Sequence, residues 1–232
     1  MSCCFYKGDS LELLRKQQSG TIDFIYANPP FNTTMQPWDT KQDWPAIFKE
    51  YFRILKDDGM IALHCSVPFN YELIRSAPKP PVYSWYWHKD GSPTGYLSSN
   101  HQPLRVVEEI LIFRKKKTKY YRQQIGEEPH DSYTATPTAY TLPVAPRKKT
   151  VVIGKTRTHF LQMKRDVQGF STRPREMVEL MIKSYTKEGD TILDPYCYHG
   201  LSGVVAKELG RRWIGFDLNF YPRLLLTSHH GT

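Results

Sequence analysis

The 232-residue sequence lacks any long apolar run, so no segment reads as a membrane span, and the expectation is an intracellular protein with no secretory signal before Gly8. Cysteine is scarce as well. Cys3, Cys4, Cys65 and Cys197 include an adjacent pair and no C-x-x-C spacing, which suits neither a disulfide framework nor a zinc site, so they read as reduced thiols with no metal. Acidic charge is short, with 23 Asp+Glu against 32 Lys+Arg and a formal net charge of +9, and this points to a polyanionic partner. Aromatic residues are not short: at 13%, with 15 Tyr and 5 Trp, they exclude a mainly disordered basic chain.

The cationic excess is local. Residues 105–165 hold 14 Lys/Arg against 5 Asp/Glu, which is the whole net charge, and the remainder is neutral. Candidate phosphate contacts there are Arg105, Lys115, Lys116, Lys117, Lys119, Arg122, Arg147, Lys148, Lys149, Lys155 and Arg157. Tyr120, Tyr121, Tyr133 and Tyr140 interleave with them, a mixture suited to backbone neutralisation and stacking. Pro129, Pro137, Pro143 and Pro146 break helical periodicity, so the stretch reads as an irregular or short-stranded insert; the alternative is a solvated loop.

Both flanks read as alternating strand and helix. In the first, residues 11–16 form a short helix, 21–27 (TIDFIYA) a strand, 44–56 a helix capped by Asp43 and stopped at Gly59, and 60–65 a strand. In the second, 174–185 is a helix opened by a Thr or Ser cap, followed by strand 191–194, helix 203–209 and strand 213–217. Between them, 82–88 and 106–113 read as an antiparallel edge pair. Such units build parallel sheets with ligands at the carboxyl ends of the strands.

Two post-strand turns stand out. Asn28-Pro29-Pro30-Phe31 lacks two backbone donors and has φ fixed twice, so it is a stiff turn of acceptors that needs an outside donor. An exocyclic amino group would supply two hydrogens, to the Asn28 side-chain oxygen and the Pro29 carbonyl, with Phe31 as a stacking face. The second turn, 194–200 (DPYCYHG), carries Gly200 into a helix, where a nucleotide-like cofactor approaches backbone N–H groups, and Asp217 ends the next strand where a carboxylate can accept ribose hydroxyls. An ordinary strand-end carboxylate is the alternative for Asp217. His64, His88, His101 and His159 are dispersed and read as structural or surface residues.

Together these residues resemble the amino-methyltransferases of DNA, in the β-ordered group whose catalytic motif precedes the cofactor motif. Asn28-Pro29-Pro30-Phe31 matches D/N/S-P-P-Y/F/W, Thr172-Arg173-Pro174 lies in a segment resembling T-x-K/R-P, Asp194 to Gly200 resembles D-P-F-x-G-x-G, and 210–217 (GRRWIGFD) resembles G-R-R-F-I-G-x-E/D. The approach through Gly8-Asp9-Ser10 is similar too, and the block around Pro93-Thr94-Gly95 and Pro103-Leu104-Arg105 is similar to phage and restriction-modification methylases. The resemblance implies an α/β fold: a Rossmann-like seven-stranded methyltransferase sheet in permuted motif order, with a catalytic half at 1–117, a basic target-recognition insert at 118–168 and a cofactor half at 169–232. It implies S-adenosylmethionine as cofactor, double-stranded DNA as partner, a flipped-out target base, and room for a homodimer. It makes Asn28, Pro29, Pro30 and Phe31 catalytic. The cofactor then falls to Asp9, Ala27, Asn28, Thr172, Arg173, Asp194, Tyr196, Tyr198, Gly200 and Asp217, with Asp9 near the adenine, Asp194 and Thr172 at the methionine end and Asp217 at the ribose.

Asn at the first motif position resembles adenine-N6 enzymes more than cytosine-N4 enzymes. The remaining readings are cytosine-N4 methylation, a catalytically weak DNA-binding subunit, and methylation of an amino group in RNA or a protein glutamine. One departure bears on the second of these: Tyr198 stands where the family has the first glycine of its cofactor loop, a position that favours positive φ.

Overall fold

A computed structural model describes residues 2–91, 93–116, 120–134, 148–156, 160–163 and 173–219, with backbone alone for 97, 124–134, 148–156 and 160. The chain forms two compact units, Arg122–Thr158 and the remainder. In the smaller, β6 (Gln124–Thr134) pairs antiparallel with β7 (Lys148–Thr156).

The larger unit runs β1 (Cys3–Lys7), α1 (Ser10–Arg15), β2 (Ile22–Ala27), α2 (Trp44–Ile54), β3 (Leu55–Cys65), α3 (Phe69–Ser76), β4 (Tyr83–Lys89), β5 (Val107–Arg114), β8 (Phe160–Met163), α4 (Arg175–Tyr185), β9 (Thr191–Asp194), α5 (Leu201–Glu208) and β10 (Arg212–Asp217). Its sheet has the order β1-β10-β9-β2-β3-β5-β4-β8, and only β5 runs against the rest. Strand alternation divides its side chains between two cores. Phe24, Tyr26, Met60, Ala62, Ile110 and Ile112 face α4 and α5, while Ile25, Ala27, Ile61, Leu63, Leu111 and Phe113 face α1, α2 and α3. Burial on both faces accounts for the near-continuous apolar strands 60–65 and 110–113.

The helices follow from local signals. Asp43 caps α2 by accepting from the Ala46 N–H at 3.1 Å, and Ile47, Phe48, Tyr51 and Ile54 form its buried stripe. The helix ends at Ile54 because Leu55 is already extended, so Gly59 is not its stop. Gly59 lies within β3 beside a register shift, where a methyl group would sit 2.9 Å from the Asp23 carbonyl. Among the described residues no side chain caps α4, whose N-cap position is held by Pro174; Ser171 and Thr172, the expected caps, lie outside them. β4 and β5 pair antiparallel but are not an edge pair: β5 is interior, and β8 covers β4. Among the described residues the sheet therefore has eight strands rather than seven, the eighth coming from within residues 118–168. None of the described helices is long and apolar enough to cross a membrane.

Candidate active site

Parallel strands deliver their carboxyl ends to one edge, and the polar residues after β1, β2, β9 and β10 meet there around a cavity of about 570 Å³. Asp9, Asn28, Asp194 and Asp217 all line it. The reversed strand β5 brings its beginning to the same edge, so Arg105 and Glu108 join them, with Lys89 from the end of β4.

Asn28 does not stand alone. Arg173 Nη2 donates to Asn28 Oδ1 at 2.5 Å and to Glu108 Oε1 at 2.6 Å, tying the turn after β2 to β5. Glu108, 4% exposed, also accepts from His64 Nδ1 at 2.8 Å and pairs with Lys89 Nζ at 3.1 Å; His64 Nε2 meets the Tyr26 hydroxyl at 2.8 Å. Burial opposes ionisation of Glu108, but Arg173, His64 and Lys89 outweigh it and hold its carboxyl well below the usual range. Burial keeps His64 neutral by pushing its pKa down, so the cluster holds two cations against one carboxylate. Both cations lie over the Trp87 ring, at 5.4 Å for Lys89 and 5.7 Å for Arg173.

On the other side of the cavity, Asp194 is buried and accepts from Ser202 Oγ at 2.5 Å and from the Tyr196 N–H at 3.2 Å. Trp213 Nε1 donates to the same Ser202 hydroxyl at 3.0 Å, and its ring fits against Gly203 and Gly215, where a methyl group would come within 2.9 Å and 2.1 Å of it. No cation among the described residues pairs with Asp194, and burial pushes its carboxyl up to about 7. Asp217 accepts from the N–H groups of Tyr198 and Asn219, both at 2.9 Å. Tyr198 takes φ 49°, as a glycine would; its ring is half exposed and lies 3.7 Å from the His199 ring, so the main chain stays on the Asp217 carboxylate.

The profile of a family described as DNA methylase matches residues 22–221, most of the chain. The chain belongs to the DNA methylase family. Members of this family methylate adenine N6 or cytosine N4 of DNA with S-adenosylmethionine as methyl donor, and this methylase is a DNA amino-methyltransferase of that kind. It is 26% identical over 246 residues to the type II methyltransferase M2.DpnII of Streptococcus pneumoniae, an alignment covering 90% of this chain and 82% of that one. Its fold is similar to that of PvuII DNA methyltransferase (cytosine-N4-specific), with TM-score 0.65, 20% identity and coverage of 94% and 83%. The M1.HpyAVI–SAM complex is similar at TM-score 0.56 and 17% identity, covering 94% and 93%.

The residues of the methylase's cavity fit such a cofactor. Asp194, a buried carboxylate with no counter-cation among the described residues, suits an amino-acid ammonium, and Asp217 at the end of β10 suits a ribose. Of the residues expected at the site, Asp9, Asn28, Pro29, Pro30, Phe31, Arg173, Asp194, Tyr196, Tyr198 and Asp217 all line the cavity. Ala27 does not: its methyl is buried in the α1–α3 core because β2 alternates. Gly200 caps α5 with φ 80°, and Thr172 lies outside the described residues. Phe31 stacks on Phe69 at 4.9 Å and also lines the cavity.

The cationic candidates do not stay together. Arg105 lines the cavity, where its Nη1 reaches Ser66 Oγ at 3.4 Å. Lys115 and Lys116 lie just past the opposite end of β5, since Arg114 pairs with Met60 and Glu109 with Cys65, about 23 Å of strand from Glu108. There Lys115 donates to the Leu55 carbonyl and Lys116 pairs with Asp57, so neither belongs to the cavity's phosphate contacts. Arg122, Lys148, Lys149 and Lys155 belong to the smaller unit, and Lys117, Lys119, Arg147 and Arg157 lie outside the described residues. Reading the sequence missed Glu108, Lys89, Ser202 and Tyr26. The available signal was the pair of carboxylates Glu108 and Glu109 running straight into the apolar stretch 110–113, since a charge carried into a buried strand must find partners.

Proposed function

We propose that this chain methylates the N6 amino group of adenine in duplex DNA, with the target base extruded into the cavity and the smaller unit, Arg122–Thr158, supplying target recognition. The observation that carries this is the Asn28 turn, which opens into the same cavity as the uncompensated Asp194. S-adenosylmethionine supplies an electrophilic methyl group when bound. Asp194 and Tyr196 would hold its amino-acid end, Asp217 with Tyr198 and Gly200 the ribose, and Asp9 the adenine. Arg173, read from the sequence as a cofactor contact, lines the same cavity and also holds Asn28.

An aromatic amine is a weak nucleophile because its lone pair is delocalised into the ring. Asn28 Oδ1 and the Pro29 carbonyl accept its two hydrogens and favour the pyramidal nitrogen that attack requires. Asn28 is a poor proton sink, so the proton is lost to solvent after methyl transfer. Phe31 stacks on the base and offsets part of the cost of flipping. Arg105 contacts the backbone of the extruded nucleotide.

The test is methyl transfer from tritiated cofactor to unmethylated duplex DNA, followed by mass spectrometry of the nucleosides. N6-methyladenine is the expected product; N4-methylcytosine would overturn the base assignment, and cofactor binding without transfer would make the chain a DNA-binding subunit. Asn28→Ala should lower turnover by about 10²-fold or more while cofactor affinity holds, and wild-type turnover in that variant would remove Asn28 from the chemistry.

A further inference from the structure

The segment that leaves the Asn28 turn, residues 32–42, is irregular in backbone yet firmly tied. The Asp39 carboxylate, 5% exposed, accepts from the N–H groups of Asn32, Thr33 and Thr34 at 2.6, 2.8 and 2.6 Å and from the Thr34 hydroxyl at 2.7 Å. Burial opposes the Asp39 charge, but these four donors outweigh it and lower its pKa, so the anchor stays ionised at working pH. On this anchored loop two large apolar side chains face solvent: Met35 is completely exposed and Trp38 is 55% exposed. Trp38 lines the same cavity as Asn28.

One exposed methionine needs no explanation, but a pair of large apolar side chains on a pinned loop beside the cavity does. The loop's charge fits a nucleic-acid surface: its lone acidic residue is the buried Asp39, and Lys41 adds a cation. Extruding a base leaves an apolar gap in the stack, and side chains such as Met and Leu fill gaps of this kind. We infer that loop 32–42 is a wedge, in which Met35, backed by Trp38, enters the duplex at the position the target base vacates. The inference rests on the methyl-transfer reading above and adds to it the means by which the flipped state is held. Placing the wedge on the chain that also carries Asn28 fixes the distance between the gap and the reacting nitrogen.

The test needs the modified site, read by sequencing DNA from cells that express the chain. Two duplexes carrying that site are then compared, one with the target base normally paired and one with it opposite an abasic position, where the pair is already broken. Met35→Ala is the main variant, because a completely exposed side chain contributes nothing to folding; Trp38→Ala is the second. On the paired duplex both should lose about tenfold or more in kcat/KM, while on the abasic duplex Met35→Ala should match the wild type. Met35→Leu should retain activity on both, and cofactor binding by calorimetry should be unchanged in the two Met35 variants. Equal losses on the two duplexes, or no loss on either, would overturn the wedge, as would a fall in oligomeric state, which would assign Met35 to a second copy of the chain. A wild type that modifies no DNA would instead refute the proposed function, and the wedge with it.

Discussion

Asp194→Asn is the substitution that most directly tests the electrostatics of the site. Burial moves this carboxyl from its ordinary 3.8 to about 7. At about 1.4 kcal/mol per pH unit, that gap amounts to about 4 kcal/mol against the ligand-free fold once the group is charged. The native carboxyl keeps its proton up to about pH 7 and the unfolded one releases it near 3.8, so between those values the native state binds more protons and stability falls as pH rises. The stabilising contribution is complete below the unfolded pKa and gone above the folded one. An asparagine carries no charge, but it turns one acceptor towards the Ser202 hydroxyl or the Tyr196 N–H into a donor, which costs about 1.5–3 kcal/mol. The variant should therefore be about 1–3 kcal/mol more stable than wild type at pH 8, a rise of about 2–4 °C per kcal/mol in a chain of this size, and equal or less stable at pH 5. Thermal unfolding of the ligand-free pair across that range measures the difference, in which the other titrating groups cancel. A difference that stays level with pH, or grows towards acid, would refute the reasoning. Cofactor affinity should fall in the same variant, the exchange of stability for function expected of an uncompensated charge in a binding site.

Glu108→Gln leaves Arg173 and Lys89 without their shared anion and should cost about 3–5 kcal/mol in denaturant unfolding. In the same protein turnover should fall with little change in the KM for cofactor, because Asn28 loses the Arg173 bridge that orients it; a change in KM alone would contradict the bridge. Arg105→Ala should weaken DNA binding and reduce the salt slope by about one, whereas Lys115→Ala with Lys116→Ala should leave both as they are. Tyr198→Gly exchanges about 1 kcal/mol of left-handed backbone strain for a similar loss of chain entropy, so its melting temperature should barely move; a drop of many degrees would show that the exposed ring is structural.

Much of this molecule was legible because its signals are local. The Asp43 cap, the helical stripe of Ile47, Phe48, Tyr51 and Ile54, and the post-strand turns at Asn28 and Asp194 all lie within a few residues of what they specify. The unread parts depend on contacts far apart in sequence. Glu108 matters because β5 is reversed and meets Arg173, 65 positions away, and nothing in the strand's own pattern states its direction. Direction also decided the cations: Arg105 and Lys115 flank one strand, so one end reaches the cavity and the other lies a strand's length off. Gly59 misled because a glycine after a helix usually marks its end, whereas here it serves a close approach to the Asp23 carbonyl.

The reversed strand also separates what in the site can vary from what cannot. Asn28, Asp194 and Asp217 sit where strands give way to loops, and their outlook shifts with the loops that follow. Glu108 enters through the start of a strand whose register is set from behind, by Trp87 opposite it in β4 and by the pairing of Glu109 with Cys65 in β3. Residues 90–106, which join β4 to β5, can therefore lengthen or shorten without moving the carboxylate that steadies Asn28. That connection is free to drift while the charge geometry behind Asn28 stays fixed, so the loop on this side and the chemical centre can change independently of each other.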